Sequence, residues 1–523
     1  MRDDTRGTET PGAAVQSTGV LIVGAGPAGL VLACELARRG IAHRLVERDE
    51  RPFAGSRGKG LQPRTQEVFE DLGVLDRVRA HGGPYPSMRA YRGDQVTWEG
   101  RIDEHREPTA DVPYPNSWML PQWRTGEILR ERLDELGGRV ETGTALVGFE
   151  QDPAGVTALL RSDAGEQRVR ARYLVGTDGG RSTVRRLAGV GFAGETREDQ
   201  RMVVADLRVD GIDRDHWHIW QTEDAEGNAF PLALCPLAGT DTFQLVLPVP
   251  PGAEAPEVTP VLLQQVLDRA SGSDRMRVTD LVWSSLFRAN IRMAERFRAG
   301  RVFLAGDAAH VHSPAGGQGL NTGVQDAYNL GWKLAAVLEG APAELLDSYE
   351  EERLPVAADV LGISTRLHDK GVAGDADAHR RDDPALHQLG LGYRDGPLSR
   401  ELRKGVELGV VLAGDRAPDG TTREGARLFE VFRGSGSTLL AFGAAAETAA
   451  LEVVRGSVRP EGLAVAVGDA ATRRGYGVAV DADVLLLVRP DGYLGLALDA
   501  GADRVEAAVG RVRDYLTGIQ PKS

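Results

Sequence analysis

Cysteine is nearly absent: Cys34 and Cys235 are the only two in 523 residues. They form neither a CxxC pair nor a metal-ligand spacing, which excludes a disulfide framework and a structural metal and points to a reducing compartment. Lysine is scarce as well, since of 62 basic residues only Lys59, Lys333, Lys370, Lys404 and Lys522 are not arginine. Acidic residues number 76 and the formal net charge is −14, so the chain lacks the basic surface that nucleic acid or an anionic membrane requires. Long hydrophobic runs are missing too. The most apolar early stretch, 20–33, is broken by Gly24, Gly26, Pro27 and Gly29 and is too short to span a bilayer. The polar opening, Arg2-Asp3-Asp4 onward, resembles neither a signal nor a transit peptide, so a cytoplasmic protein without a membrane partner is expected.

What remains is a chain long enough to bury a core and to form about three domains. Val20-Leu21-Ile22-Val23 is a short, wholly apolar segment of the kind buried on both faces of a parallel sheet. A helical pattern follows over 28–39 and stops at Gly40, and 42–47 forms a second strand, giving a βαβ unit. Further apolar strands are expected at 173–176 and 302–305, each ending in a Gly/Asp turn, with a long helix over 321–339 after the second. Between them, 202–287 alternates as an antiparallel sheet does. Residues 369–396 are polar and irregular. Beyond them, strands at 438–442 and 484–488, a turn at 489–492, a strand at 493–498 and an amphipathic helix at 503–516 form a compact unit.

The chemistry concentrates in three segments. Gly24-Ala25-Gly26-Pro27-Ala28-Gly29 fits GxGxxG between strand and helix, with Glu47 at the end of the next strand. In such a unit the first glycine makes the tight turn, the second admits a pyrophosphate, the third lets helix and strand pack, and the acid accepts from ribose hydroxyls. Asp178-Gly179, followed by Ser182 and Arg185, and Gly306-Asp307-Ala308-Ala309-His310 also lie at strand ends. Either aspartate alone is equally well a helix cap.

Taken together, GAGPAG at 24–29, DGGRSTVR at 178–185 and GDAAHVHSPAGGQGLNTG at 306–323 resemble the group A FAD-dependent aromatic monooxygenases. Supporting matches are SRGKGL at 56–61 with Arg64, Gln122 with Glu127, and LDSYE at 346–350 with Arg353. The look is nearest to the bacterial hydroxylases of aromatic polyketides and antibiotics, whose C-terminal domain is thioredoxin-like. LVRPDGY at 487–493 is similar to theirs, although no CxxC is present. The resemblance implies an α/β (overall α+β) fold: a GxGxxG FAD-binding domain with a parallel sheet, an inserted antiparallel substrate layer and a redox-silent thioredoxin-like C-terminal domain. The expected boundaries are a disordered 1–18, an FAD domain over 19–80, 119–190 and 290–365, a substrate domain over 81–118 and 191–289, a connection over 366–400, and a C-terminal domain over 401–523.

The resemblance further implies that non-covalent FAD is held by Gly24, Gly26, Pro27, Ala28, Gly29, Glu47, Arg48, Arg57, Gln122, Asp178, Asp307, Pro314, Gly317, Gly319, Leu320 and Asn321. A helix starting near Gly319 would aim its dipole at the flavin N1–C2=O region, where reduced flavin is negative. NADPH or NADH would reduce FAD, and O2 would form a C4a-hydroperoxide that hydroxylates a large, phenolic aromatic substrate. Arg57 and Pro314 are the candidate catalytic positions. Baeyer–Villiger oxygenation, or oxidative inactivation of an antibiotic, is the alternative on the same scaffold. The GWxWxIP segment and adjacent Lys of flavin halogenases are absent, and three intact flavin motifs argue against a non-catalytic binding module. For the substrate wall the candidates are His216, His218 and Trp220, which alternate onto one strand face, with Phe230 and Trp283. Such a face either stacks a ligand or packs in a core. His310 and His312 are either proton-transfer groups or hydrogen-bonded structural histidines. Partners are limited to the small molecule, with the protein a monomer or homodimer.

Overall fold

A computed structural model describes residues 16–223, 229–250, 252–372, 381–407, 409–457 and 460–520. The strand Gln16–Val23 lies between two parallel neighbours, Gly165–Gly176 and His43–Val46, and Val302–Leu304 adds parallel to Gly165–Gly176. Val20, Leu21 and Ile22 are fully buried, as a strand covered on both faces must be. Register aligns Val23 with Val46 and Gly176, and Gly176 with Leu304. The turns after these four strands therefore share one edge of the sheet, the edge at which open α/β sheets bind ligands. Pro27 starts the helix Pro27–Ala37, and Gly40, at φ 70°, turns the chain back towards the second strand. The expected disordered leader is corrected at its end: Gln16, Ser17 and Thr18 pair with Val169, Arg170 and Ala171. Residues 1–15 lie outside the described residues.

An eight-stranded second sheet is built on two long antiparallel strands, Phe192–Asp210 and Arg277–Ala294. Ser87–Arg92 and Gln95–Gly100 complete its far edge. The strand Arg277–Ala294 runs past the expected boundary at 289, because His310–Val311 pairs with its end. One face of this sheet packs on the helix Pro260–Ser271 through Val203, Ala205, Leu207, Leu234 and Leu245. The other face turns towards the 55–60 loop of the first unit, where Lys59 bonds Gln244.

The helix Asp347–Val372 extends into the expected connection at 366–400. The last sheet runs Leu463–Val467, Ser437–Phe442, Val484–Val488, Leu494–Asp499, and Arg400–Glu401 adds at its edge. Its first pair is parallel and the next two are antiparallel, giving βαβ, then a hairpin, then the helix Val505–Ile519. This is the thioredoxin-like arrangement, with neither cysteine in it. Among the described residues no helix is long and apolar enough to cross a membrane.

Trp220 sits in the sheet–helix core with only 2% of its surface exposed, stacked on Tyr91 at 5.1 Å. Trp220→Ala is expected to cost about 3–5 kcal/mol, read as a lower urea midpoint by circular dichroism. An unchanged midpoint would mean that the core does not depend on this ring.

Candidate functional site

The GxGxxG turn has the contacts a dinucleotide needs. Gly24 adopts φ 104°, and a Cβ there would lie 2.6 Å from the Thr177 carbonyl oxygen. At Gly29 a Cβ would fall 2.0 Å from the Gly24 carbonyl oxygen, so strand and helix touch only because both residues lack side chains. Gly26 differs: a Cβ there meets nothing within 4 Å, leaving open space over the helix N-terminus, the kind of position that binds anions. Glu47 faces this turn, accepting from the Ala25 N–H at 2.8 Å and the Asp49 N–H at 3.1 Å. One lone pair on each oxygen is left for ribose hydroxyls.

At the other end of the edge, Asp307 keeps exposed surface while protein encloses it, as a carboxylate in a cleft wall does. Lost hydration pushes its carboxyl above the ordinary range, against the pull of His310 and Arg57. Arg57 donates to Ser285 Oγ at 3.1 Å, and its guanidinium lies 5.4 Å from the Phe53 ring and 5.8 Å from the Trp283 ring. It therefore joins the 55–60 loop to the second sheet. Gln122 fixes that loop, accepting from the Gly58 N–H at 3.0 Å while its own N–H donates to the Gly58 carbonyl at 2.9 Å. The helix Gly319–Leu338 starts at the expected residue and has no capping side chain, so its positive end remains available to an anion. Pro314 and Gly317 are exposed beside it.

Some expected ligands are used otherwise. Asn321 is buried, its Oδ1 accepting from the Gln62 N–H at 2.8 Å and its Nδ2 donating to Gly60 and Gly317 carbonyls at 2.9 and 2.8 Å. It staples two loops together, with Leu320 packing below Gly58. Asp178 caps the helix Thr183–Leu187, accepting from Ser182 Oγ at 2.5 Å and the Thr183 N–H at 2.6 Å. In the same motif Arg185 donates to the Ala308 carbonyl at 2.8 Å, bracing the Asp307 loop. Arg48 points to solvent, 70% exposed beside Asp49. Pro27 and Ala28 begin the first helix, Ala28 facing Gly306 and Gly323.

The expected substrate wall is corrected in its strand parity. His216, His218 and Trp220 face away from the cleft. His218 is buried against Tyr91, whose hydroxyl lies 2.9 Å from Nδ1, and against the Asp213 carbonyl, 2.9 Å from Nε2. His216 lies 2.7 Å from Asp213 Oδ1. The cleft-facing residue of that strand is Trp217, whose ring lies 4.3 Å from Lys59 Nζ. Trp283 is on the cleft face, lying where a Gly55 Cβ would be 2.3 Å from its ring. The Phe230 side chain lies outside the described residues. His310 is structural, its Nε2 2.7 Å from Asp326 Oδ2. His312 stacks on it at 6.2 Å, and burial, helped by His310, lowers its imidazole to about 4. Cys34 is a buried small apolar group whose thiol burial pushes up to about 12.

Sequence reasoning missed two residues. Arg130 lies beside Glu47 on the helix Gln122–Glu135, two turns after Gln122; the i, i+4, i+8 spacing of Gln122, Gly126 and Arg130 was the available signal. Asp206 is only 2% exposed, on the cleft face between Gln244 and Trp283 across the ladder. Neither of its oxygens completes an aligned hydrogen bond, and burial raises its carboxyl to about 6 against the pull of Ser56 and Lys59. A polar residue among Val203, Ala205 and Leu207 marked that second face.

A family model for an FAD binding domain matches residues 17–364. A flavin-dependent monooxygenase of Mycobacteroides abscessus is 46% identical over 491 residues, covering 93% of this chain and 98% of the relative. The 12-dehydrotetracycline 5-monooxygenase/anhydrotetracycline 6-monooxygenase of Streptomyces rimosus is 36% identical over 91% of this chain and 94% of its own. Among solved structures, the flavin-dependent monooxygenase PieE, in complex with FAD and substrate, superposes with a TM-score of 0.81 at 26% identity, over 95% of this chain and 99% of that one. Fold and family model together define an FAD-binding protein. The chain belongs to the FAD-binding-domain family of aromatic monooxygenases, and it is a flavoprotein monooxygenase.

Two substitutions separate folding from binding. Gly29→Ala is expected to destabilise the flavin-free protein by about 1–3 kcal/mol through overpacking, whereas Gly26→Ala should leave its melting temperature unchanged and weaken FAD binding. Fluorescence titration with FAD checks the second; equal affinity in Gly26→Ala would remove the pyrophosphate from this turn.

Asp206 sets a pH dependence. Unfolded, its carboxyl titrates near pH ~4; folded, at about 6. Between those values the folded state holds the proton more tightly, so stability falls as pH rises, by up to roughly 2–3 kcal/mol, and falls no further above the upper value. Asp206→Asn should therefore gain on wild type in melting temperature from pH 4 to 6.5 and keep a constant lead above. A lead that does not vary with pH would rule out the titration.

Proposed function

We propose that this enzyme, with FAD as resident cofactor and NAD(P)H as electron donor, transfers one atom of O2 to a large, multi-ring phenolic substrate of the polyketide or antibiotic type. The observation that carries the reading is the position of Arg57. It bonds Ser285 and stacks near Trp283 on one wall of the cleft while exerting its charge on Asp307 on the other. Substrate face and cofactor edge thus meet at one residue. The relatives support the substrate class, since those that share the chain most fully include a tetracycline-pathway monooxygenase, and another, 41% identical over 65% of this chain, is a rifampicin monooxygenase of Streptomyces venezuelae.

Bound FAD supplies hydride acceptance and oxygen activation, and the protein's work is binding, orientation and dryness. Glu47 and the open Gly26 position would hold the adenosine and pyrophosphate half. Asp307 would accept hydrogen bonds from the ribityl chain. The uncapped end of Gly319–Leu338 would stabilise negative charge on a flavin bound beside it. Across the cleft the second sheet presents half-buried Met202, Val246, Trp283 and Phe287, an apolar wall that seats flat rings and limits water.

Purified protein with FAD should lose its flavin absorbance on anaerobic NADPH addition and regain it in air, faster with anhydrotetracycline-type ligands present. Trp283→Ala should raise KM for such a ligand roughly tenfold with little change in ligand-free flavin reduction. A protein that binds FAD but is not reduced by NADPH or NADH with any aromatic ligand would overturn the proposal.

A further inference from the structure

The C-terminal thioredoxin-like unit contains no cysteine, yet it connects to the Asp307 loop through a buried chain of contacts, one ring stack followed by hydrogen bonds. Its turn Arg489-Pro490-Asp491-Gly492-Tyr493 inserts between two helices of the FAD-binding unit. Arg489 donates to both oxygens of Glu352, at 2.6 and 2.9 Å, and Asp491 accepts from the Trp332 indole at 3.1 Å. Glu352 also accepts from Lys333 Nζ at 2.7 Å. In the same turn Tyr493 packs on Tyr393 with ring centroids 4.5 Å apart. The Tyr393 hydroxyl accepts from Arg353 Nη1 at 3.0 Å, and Arg353 Nε donates to Asp326 Oδ1 at 2.8 Å. The other oxygen of Asp326 accepts from the Gly306 N–H at 3.0 Å and lies 2.7 Å from His310 Nε2. Gly306, at φ 60°, is the residue before Asp307.

We infer that the C-terminal unit is a positioning element for the cofactor loop, acting through Tyr493, Tyr393, Arg353 and Asp326 on the backbone of Gly306 and so on Asp307. The inference rests on the reading of Asp307 as an FAD ligand. Three features give the chain its direction. Glu352 and Arg353 are adjacent on the helix Asp347–Val372, so the Arg489 clamp fixes the same turn of helix that presents Arg353. Asp326 has its two oxygens divided, one to the helix that the C-terminal unit grips and one to the loop. Burial opposes its ionisation, but Arg353 and His310 hold it down to about 2, so the link stays charged throughout the working pH range. Thiol–disulfide chemistry is excluded for this unit because it contains no cysteine, whereas Arg489 and Asp491 of its turn are both committed to the FAD-binding unit.

Tyr393→Phe is the informative change, because it keeps the ring on Tyr493 and deletes only the oxygen that accepts from Arg353. In the full-length protein the dissociation constant for FAD should rise at least fivefold and the flavin reduction potential should shift. The melting temperature should fall further for the FAD-loaded protein than for the flavin-free one. Asp326→Asn should do the same, and the double variant should bind FAD at least threefold better than the product of the two losses, since both cut one chain. Arg489→Lys, which keeps the charge opposite Glu352 but cannot make the two-pronged pairing, should recover only a minor part of the affinity lost in Arg489→Met. Equal destabilisation of loaded and flavin-free protein, with unchanged affinity and potential, would overturn the inference and leave these residues purely structural. The two readings fail separately: if Asp307→Ala binds FAD as wild type does, the cofactor-loop reading is wrong. If Asp307→Ala loses FAD while Tyr393→Phe does not, only the positioning role is wrong.

Discussion

The buried carboxylate of Asp326 is the point on which the rest of the architecture depends. It sits on the long helix Gly319–Leu338, has no solvent exposure, and has three partners from two stretches of chain, the 306–310 loop and the helix carrying Arg353. Burying such a charge unpaired costs several kcal/mol, so the three partners are obligatory once the aspartate is inside. That obligation fixes the Gly306 turn against the helix start, and with it the relation between the sheet edge and the helix dipole. The sheet register and the packing of Ala28 on Gly306 set the first glycine turn beside the last strand end, and the Asp326 contact locks that strand end onto the helix.

The second sheet shows a different kind of constraint. Its long strands present a core face to the helix Pro260–Ser271 and a mixed face to the cleft. Period-two alternation guarantees that His218 and Trp217 point opposite ways, and it cannot say which way is inward. Aromatic residues occur on both faces, so ring content does not settle the matter. What settles it is long-range pairing: Phe243 and Leu245 align with Leu207 and Ala205 on the core side, which sends Gln244 and Asp206 to the cleft. The polar pair is the better guide to a functional face, since a core face cannot carry a carboxylate beside apolar neighbours at no cost.

The local signals were read well where chemistry and backbone coincide. A glycine motif between strand and helix leaves few physical solutions: the first helix, the second strand, the Gly319 helix start and the C-terminal hairpin with its closing helix formed within two or three residues of their expected limits, while the first strand begins four residues earlier than expected. Side-chain roles were less legible. Asp178 and Asn321 belong to motifs that touch the cofactor edge, yet their own atoms are spent on a helix cap and a loop staple. A motif specifies that a residue type is needed at a place; whether the need is a ligand or a fold is decided by donors brought from elsewhere in the chain. Arg185 illustrates the converse, supporting the Asp307 loop from over a hundred residues away.

The charged contact between the C-terminal turn and the FAD-binding unit raises the question of why it is ionic at all. Arg489, Glu352, Lys333 and Asp491 are all buried, and an apolar interface of the same size would be at least as stable. Apolar surfaces, however, tolerate sliding and rotation, because their contacts are non-directional. A two-pronged guanidinium–carboxylate pair does not, since both hydrogen bonds must be aligned together or a charge is left bare. The ionic turn therefore trades stability for a single docking geometry. That trade is useful only if something beyond the interface needs the geometry. The helix turn carrying Glu352 also carries Arg353, and Arg353 holds the carboxylate on which the cofactor edge is built.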